Sequence, residues 1–428
     1  MCKRFHVILC FFLFLLVAKG TGIYAQSFED NFTDNTLRLD YTFSGTNVEQ
    51  NISLDGLTQS EGWYGRRTHL DSLALAGNGQ ILVKDVADGR VLYCNSFSTL
   101  FQEWQTTEEA TKVRKSFENV FIVPFPKRPV DISVTLTDTH RRVCSSITHR
   151  VDPSDILIRH AEENFPWEYI SQTGDSKDKI DIAFVPEGYT QAEMDLFRKD
   201  CQESVEVFMN HEPFKSLRDR FNFVAVFAPS QDSGVSIPHD QVWKRTLLGS
   251  SFDTFYSDRY LTTLRLRKLH DCLSSVPYEH IIVLANTEQY GGSGIYNSYL
   301  ISAAHNAKCK PVLVHEFGHS FAGLADEYYY DDQYETMYPA DTEPWEPNIT
   351  TLVDFGSKWK DMLPKKVSIP TIPDGKRLYD KVGVYEGGGY QSKGVYRPVQ
   401  ECRMKINEAP VFCPVCDRAI RRMVEYYR

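Results

Sequence analysis

The sequence predicts an α/β domain that follows an all-β domain built as an antiparallel sandwich. Three observations lead to this prediction. Up to about residue 150, short segments of alternating apolar and polar residues are separated by glycine, asparagine and proline turns. From residue 180, apolar strands alternate with an amphipathic helical segment. Near residue 315, an apolar segment contains two histidines four residues apart, which indicates a metal site in the α/β domain.

The first 25 residues have the features of a secretory signal peptide. Lys3 and Arg4 precede an apolar run at residues 7–18, and a small-residue cleavage pattern ends at Ala25. This run is shorter than the ~20 residues of a membrane-spanning helix, and no later stretch is apolar for long enough. We therefore expect a protein without a transmembrane segment that is exported to a periplasm, the cell surface or the medium.

The charge of the chain argues against a nucleic-acid partner. The formal net charge is −10, and the predicted signal peptide carries basic residues but no acidic ones. The mature chain is therefore still more acidic, whereas nucleic-acid-binding proteins need a basic footprint. The oligomeric state does not follow from the sequence.

Residues 26–150 form the predicted β-sandwich accessory domain. Its clearest strand is at residues 130–136, where apolar and polar side chains alternate strictly. Several short strands separated by turns are typical of an antiparallel sandwich. The other strands are predicted at 80–85, 89–94 and 118–125.

A linker is predicted at residues 151–179, and the α/β domain at residues 180–428. The latter begins with a buried strand at 180–186. Thr190 and Glu193 then form the pattern of a capping box, which predicts the start of a helix. This order predicts a mostly parallel sheet covered by helices. Further apolar strands are predicted at 221–227 and 280–285.

The sequence H-E-F-G-H at residues 315–319 is the strongest chemical signal in the chain. On a helix, His315 and His319 project from one face, one turn apart. Two neutral imidazoles at this separation can bind one zinc ion. Glu316 projects beside the metal and is the predicted general base, which would take a proton from the attacking water.

Two histidines do not complete a catalytic zinc site, which takes three protein ligands. Gly323 is predicted to end the helix, because glycine readily adopts positive φ. A turn there could bring Asp326 back to the metal, so Asp326 is the first candidate for the third ligand and Glu327 the second. A later glutamate, Glu335 or Glu343, is the remaining alternative.

The stretch from His315 to Asp326 is similar to the metzincin pattern H-E-x-x-H-x-x-G-x-x-H. In that pattern the third ligand also follows the glycine by three residues. This chain departs from it twice, because Asp replaces the third histidine and one extra residue separates His319 from Gly323. The resemblance implies a metzincin-like α/β zinc peptidase domain.

The same resemblance implies a methionine turn beneath the metal. Met404, in the sequence C-R-M, fits that description, and Met337 is the alternative. A further hydrogen-bond donor to the developing oxyanion is expected, and Tyr396 is predicted to fill this catalytic role. The other tyrosines considered for that role are Tyr328, Tyr385 and Tyr390.

Three of the eight cysteines outside the predicted signal peptide lie close together near the end of the chain. Cys402, Cys413 and Cys416 resemble the cysteines of archaemetzincins, which bind a second, structural zinc. No cysteine lies directly after Asp326 to supply a fourth thiolate, and Cys309 could supply it only if the fold brings it close. In an exported protein, a disulfide between Cys402 and one of the other two is therefore the preferred interpretation, and a second zinc is the alternative.

The wider sequence resembles the IgA-peptidase family of metallo-endopeptidases. The resemblance rests on HEFGHSFAGLADEY, on VYEGGGYQSKGVYRP and on the C-R-M turn, and it covers about residues 179–428. The preceding β region is similar to the accessory domain of the Bacteroides type. The resemblance implies a secreted zinc endopeptidase that cleaves protein or peptide substrates. The alternatives are an inactive peptidase-like adhesion or glycan-binding protein, and a zinc hydrolase of small amides or esters.

Overall fold

The computed structural model of the protein describes residues 27–330 and 337–428. The predicted signal peptide and Glu335 lie outside the described residues. Within the described ranges, no helix is both long enough and apolar enough to cross a membrane. The fold is mixed α/β, as the sequence predicts.

Two four-stranded sheets occupy most of the first 160 residues. Their strands are β1 (Phe32–Gly45), β2 (Gln50–Glu61), β3 (Gly79–Asp85), β4 (Val91–Phe97), β5 (Lys115–Pro126), β6 (Val130–Thr137), β7 (Val143–Val151) and β8 (Arg159–His160). The strand orders are β5-β1-β2-β8 and β4-β3-β6-β7. All neighbours are antiparallel except β2 and β8. Strand β6 alternates buried and half-buried residues, as its sequence pattern predicts.

A six-stranded sheet forms the centre of the second part of the chain. Its strands are β9 (Trp167–Ser171), β10 (Ile180–Glu187), β11 (Phe221–Val226), β12 (His280–Ala285), β13 (Gly292–Gly294) and β14 (Leu300–Ala303). The order is β13-β14-β12-β10-β11-β9, with the four central strands parallel and both edge strands antiparallel. The predicted linker at 151–179 contains β8 and β9, which pair with different sheets.

The helices and a small third sheet complete the described chain. Thr190 and Glu193 form the predicted capping box just before the helix at Met194–Met209. The third sheet comprises β15 (Tyr329–Tyr330), β16 (Tyr385–Gly388) and β17 (Tyr390–Arg397), in the order β15-β17-β16. The α-helices are α1 (Phe28–Asn31), α2 (Leu100–Trp104), α3 (Met194–Met209), α4 (Leu266–Asp271), α5 (Cys309–Ala322) and α6 (Pro414–Tyr426). The 3₁₀ turns are Glu109–Thr111, Gln191–Glu193, Arg218–Arg220, Pro238–Asp240, Thr254–Tyr256, Phe355–Ser357 and Lys360–Met362.

The central sheet separates two hydrophobic cores. Ala183 and Val185 of β10 belong to the core that contains the N-terminal sheets, whereas Ile182 and Phe184 belong to the core around α3, α5 and α6. This division follows from the two-residue period of a strand, which sends neighbouring side chains to opposite faces. The N-terminal sheets therefore pack on the face of the central sheet opposite α3, α5 and α6.

Candidate metal centre

Helix α5 carries the H-E-x-x-H sequence and ends where the sequence predicts. Gly323 follows the helix with φ of 57°, in the left-handed region, and its N–H donates to the carbonyl of His319 at 3.0 Å. A side chain at Gly323 would place its Cβ 2.5 Å from the Trp345 ring. Glycine therefore meets both a conformational and a steric requirement at this turn.

The two faces of α5 have different environments. Leu313, Phe317 and Phe321 are buried in the helix-side core, and the Phe317 and Phe321 rings stack with centroids 5.0 Å apart. His315 and His319 lie on the other face and are half-buried. The buried face fixes the helix, so the imidazoles are held in place at the wall of a cleft.

Three potential ligand atoms converge on this face. His315 Nε2 lies 3.1 Å from His319 Nε2. Asp326 Oδ1 lies 3.1 Å from His315 Nε2 and 3.3 Å from His319 Nε2. The turn after Gly323 therefore brings Asp326 back to both imidazoles.

Each imidazole is oriented by a hydrogen bond from its other nitrogen. His315 Nδ1 donates to the carbonyl of Arg403 at 2.9 Å, and His319 Nδ1 donates to the carbonyl of Leu324 at 2.5 Å. A carbonyl can only accept, so each Nδ1 carries a proton, and in the neutral imidazole Nε2 then presents a lone pair. This is the tautomer that binds a metal through Nε2.

Asp326 holds the negative charge of the cluster. Its Oδ2 accepts a hydrogen bond from the hydroxyl of Tyr390, whereas its buried Oδ1 receives none among the described residues. Burial opposes ionisation, but the positive charge of the adjacent His319 and His315 holds the pKa of Asp326 well below its usual range. Burial likewise opposes protonation of His319, yet Asp326 raises the pKa of this imidazole to about 9. The centre thus stabilises positive charge beside Oδ1.

The donor set fits a zinc ion. Two imidazole nitrogens and one carboxylate oxygen are ligands of catalytic zinc sites, which keep a fourth position open. The unpartnered Asp326 Oδ1 would gain a partner there. His315, His319 and Asp326 are the residues that would hold the ion.

Glu316 lies beside the three converging atoms. Its carboxylate and the two imidazoles have ligand atoms within 4.8 Å of one another, and the residue lines the cleft. Burial raises the pKa of Glu316 above its ordinary value. A carboxylate in this position can accept a proton from a water molecule at the open position.

Glu327, the second candidate ligand, points away from the imidazoles. It is fully buried, and its carboxylate accepts from Asn348 Nδ2 at 3.0 Å and from Cys416 Sγ at 3.2 Å. Asp326 contacts the two imidazoles instead, so the two neighbouring carboxylates lie in different surroundings. Glu343 also lies outside the centre. Its carboxylate accepts a hydrogen bond from the N–H of Asp354 at 2.9 Å.

Met404 packs against helix α5 at Gly318 and, among the described residues, is not part of the cleft lining. It is fully buried, and a Cβ at Gly318 would lie 2.8 Å from its sulfur. The Met404 carbonyl accepts from the N–H of Glu327 at 2.8 Å. Met337, the alternative, lines the cleft instead.

The structure brings Tyr390 to the centre, but it does not bring Tyr396 there. Tyr328 and Tyr390 line the cleft, and among the described residues Tyr396 is not part of the lining. Tyr390 begins β17 and Tyr396 lies six residues further along it, which is about 20 Å in an extended strand. Only the three-dimensional path of β17 distinguishes these two tyrosines.

The cleft has a volume of about 800 Å³ and is lined by both parts of the chain. Helix α2 contributes Glu103, which accepts from the Tyr260 hydroxyl at 2.5 Å. Burial raises the pKa of Glu103 to about 7. The sequence did not point to Glu103, because a single acidic residue on a short helix carries no motif. The other N-terminal lining residues include Asn47, Asn78, Thr99, Gln102 and Arg141.

Edge strand β13 packs closely against α5 beside the cleft. A Cβ at Gly294 would lie 2.3 Å from the carbonyl oxygen of Glu316, and one at Gly292 would lie 3.4 Å from Glu316 Cγ. Glycine at these positions allows the strand backbone to approach the helix. Strand β13 therefore runs next to Glu316, and on its outer side Gly292 forms a β-bridge with Tyr260.

The cysteines near the end of the chain do not form a disulfide. All eight cysteines of the described residues are free thiols, so the predicted disulfide involving Cys402 is wrong. Cys402, Cys413 and Cys416 instead lie together with Glu327. Their arrangement was not evident from the sequence, because the fourth member of the group is a carboxylate from a distant segment.

The sequence matches two protein-family models. Residues 169–380 and 374–424, more than half of the chain, match the family model described as IgA Peptidase M64. Residues 27–148 match the model of the Peptidase M64 N-terminus. No curated protein matches the chain. The chain therefore belongs to the IgA peptidase M64 family and is a metallopeptidase, a hydrolase that acts on peptide bonds of protein substrates.

Proposed function

We propose that the protein is an exported zinc endopeptidase with a metzincin-like centre. The convergence of His315 Nε2, His319 Nε2 and Asp326 Oδ1 beside Glu316 supports this function best. The glycine turn after α5 and the position of Met404 against the helix support the metzincin-like assignment.

In this proposal the chain positions a water molecule and moves its proton. When bound, zinc supplies Lewis acidity that lowers the pKa of a coordinated water and polarises the substrate carbonyl. Glu316 accepts the proton of the attacking water and then delivers it to the leaving amine. Asp326, held by the Tyr390 hydroxyl, supplies the negative charge that retains the cation.

A peptide substrate would bind in extended form along β13. Strand β13 is an edge strand of the central sheet, and its backbone N–H and C=O groups beyond the bridge from Gly292 to Tyr260 would pair with an added strand. The edge lies next to Glu316, so a peptide paired with it would bring a carbonyl close to the centre. Residues of the N-terminal region also line this cleft.

The proposed domain boundaries follow the sequence analysis. They are a signal peptide at residues 1–25, a β-sandwich accessory domain at 26–150, a linker at 151–179 and the peptidase domain at 180–428. The two N-terminal sheets and the central six-stranded sheet support this division. The predicted signal peptide is the basis for export.

Removal of the metal tests the function directly. The purified full chain should cleave a denatured protein, lose this activity after treatment with a zinc chelator, and regain it when Zn²⁺ is restored. Zinc content and cleavage are measured on the same samples. A metal-loaded protein that cleaves neither a denatured protein nor a peptide library would contradict the proposal and favour a binding role.

A pair of tyrosine variants tests which hydroxyl serves the centre. Tyr390→Phe should lower kcat/KM or zinc affinity by about 10- to 100-fold, the usual cost of losing a hydrogen bond to a metal ligand. Tyr396→Phe removes the same atom outside the cleft lining and should leave both quantities unchanged. The reverse pattern would return the catalytic role to Tyr396.

A further inference from the structure

We propose that Cys402, Cys413, Cys416 and Glu327 form a second, structural metal site that binds Zn²⁺. One ligand atom from each residue lies within 4.8 Å of the other three. All four residues are fully buried. The site is distinct from the histidine centre, and its occupancy does not depend on proteolysis.

The spacing of the sulfur atoms matches tetrahedral zinc. Cys402 Sγ and Cys416 Sγ are 3.8 Å apart. In a tetrahedral site with Zn–S bonds of about 2.3 Å, two sulfurs are separated by about 3.8 Å. Three thiolates and one carboxylate form a soft donor set that suits zinc.

Glu327 supplies a fourth ligand that the cysteines alone lack. Its Oε1 is engaged by Asn348 and Cys416, but its buried Oε2 has no hydrogen-bond partner among the described residues. A buried, unpartnered carboxylate oxygen is costly. A cation between Glu327 and the three sulfurs would remove that cost.

The surroundings compensate the negative charge of such a site. Three thiolates, a carboxylate and one Zn²⁺ carry two net negative charges. The N–H of Cys413 donates to Cys402 Sγ at 3.3 Å, and the N–H of Cys416 donates to Cys413 Sγ at 3.5 Å at the N-terminus of α6. A helix N-terminus favours negative charge. The positive charges of the buried Arg397 and Arg403 also stabilise negative charge on Glu327 and Cys402, respectively.

The site would join the segments that position the histidine centre. Glu327 follows Asp326 directly, and its N–H donates to the Met404 carbonyl at 2.8 Å. Arg403 is next to Cys402, and its backbone carbonyl accepts a hydrogen bond from His315 Nδ1 at 2.9 Å. A metal that holds Glu327 and Cys402 together therefore fixes the backbone groups behind Asp326 and His315.

Cobalt substitution tests this site separately from the histidine centre. The full-length Asp326→Ala variant, reduced and loaded with Co²⁺, should bind one ion per chain with sulfur-to-cobalt charge-transfer absorption. Within residues 27–330 and 337–428, no cysteine lines the cleft of the histidine centre, so this absorption reports the thiolate site. It is measured without any proteolysis assay, so failure of the proposed activity would not affect it.

Variants in the same background assign the ligands. Cys413→Ser should remove the charge-transfer absorption. Glu327→Gln keeps all three thiols and should lower Co²⁺ affinity at least about tenfold, which provides a test if the cysteine variant does not fold. Cys201→Ser, which changes a buried thiol on α3 outside the group, should leave the spectrum unchanged.

Two results would overturn the proposal. One is a folded Asp326→Ala protein that shows no sulfur-to-cobalt absorption. The other is a disulfide joining Cys402 to Cys413 or Cys416 in the native protein, detected by mass spectrometry without reduction.

Discussion

Replacement of Glu316 by glutamine should lower kcat/KM by about 10²- to 10⁴-fold, the range of general acid–base catalysis, and leave zinc bound. Glutamine has nearly the same shape but cannot accept the proton of the attacking water. The proposed metal ligands are His315, His319 and Asp326, so the substitution removes none of them. Cleavage of a denatured protein and zinc content are measured on the same preparation.

A matched control separates this effect from a general loss of charge. Glu206→Gln makes the same chemical change at an exposed position of α3 and should leave kcat/KM unchanged. Undiminished proteolysis by Glu316→Gln would end the proposed role of Glu316. Loss of zinc in the same variant would instead make Glu316 a ligand.

Replacement of Asp326 by alanine should lower zinc affinity at the histidine centre by more than about 100-fold. Loss of an outer hydrogen-bond partner costs about 10- to 100-fold in metal affinity or activity, and Asp326 is proposed as a direct ligand. Its Oδ1 is the acidic atom that approaches both Nε2 atoms, at 3.1 and 3.3 Å. Zinc affinity is measured by competition with a chelator of known strength, and proteolysis should fall in parallel.

The control for this variant is an aspartate that faces solvent. The side chain of Asp195 on α3 is 97% exposed, so Asp195→Ala should leave zinc affinity and proteolysis unchanged. Full zinc affinity at the histidine centre in Asp326→Ala would contradict the assignment of Asp326 and return Glu327 to consideration.

The local features of the fold and the centre could be predicted from the sequence. The alternating pattern of β6, the capping box before α3 and the left-handed Gly323 all depend on residues within a few positions of one another. The approach of His315 to His319 likewise follows from the geometry of a single helical turn. Each of these features is set by backbone dihedral angles and nearby hydrogen bonds, so the sequence determines them by itself.

The tertiary structure decided which distant side chains lie together. Tyr390 reaches Asp326 over a separation of 64 residues, and Cys416 reaches Glu327 over 89 residues. The sequence offered Asp326 or Glu327, Tyr390 or Tyr396, and a disulfide or a second zinc, with no local rule to separate them. Such contacts depend on how distant segments pack around a shared core, which periodicity and capping patterns do not encode.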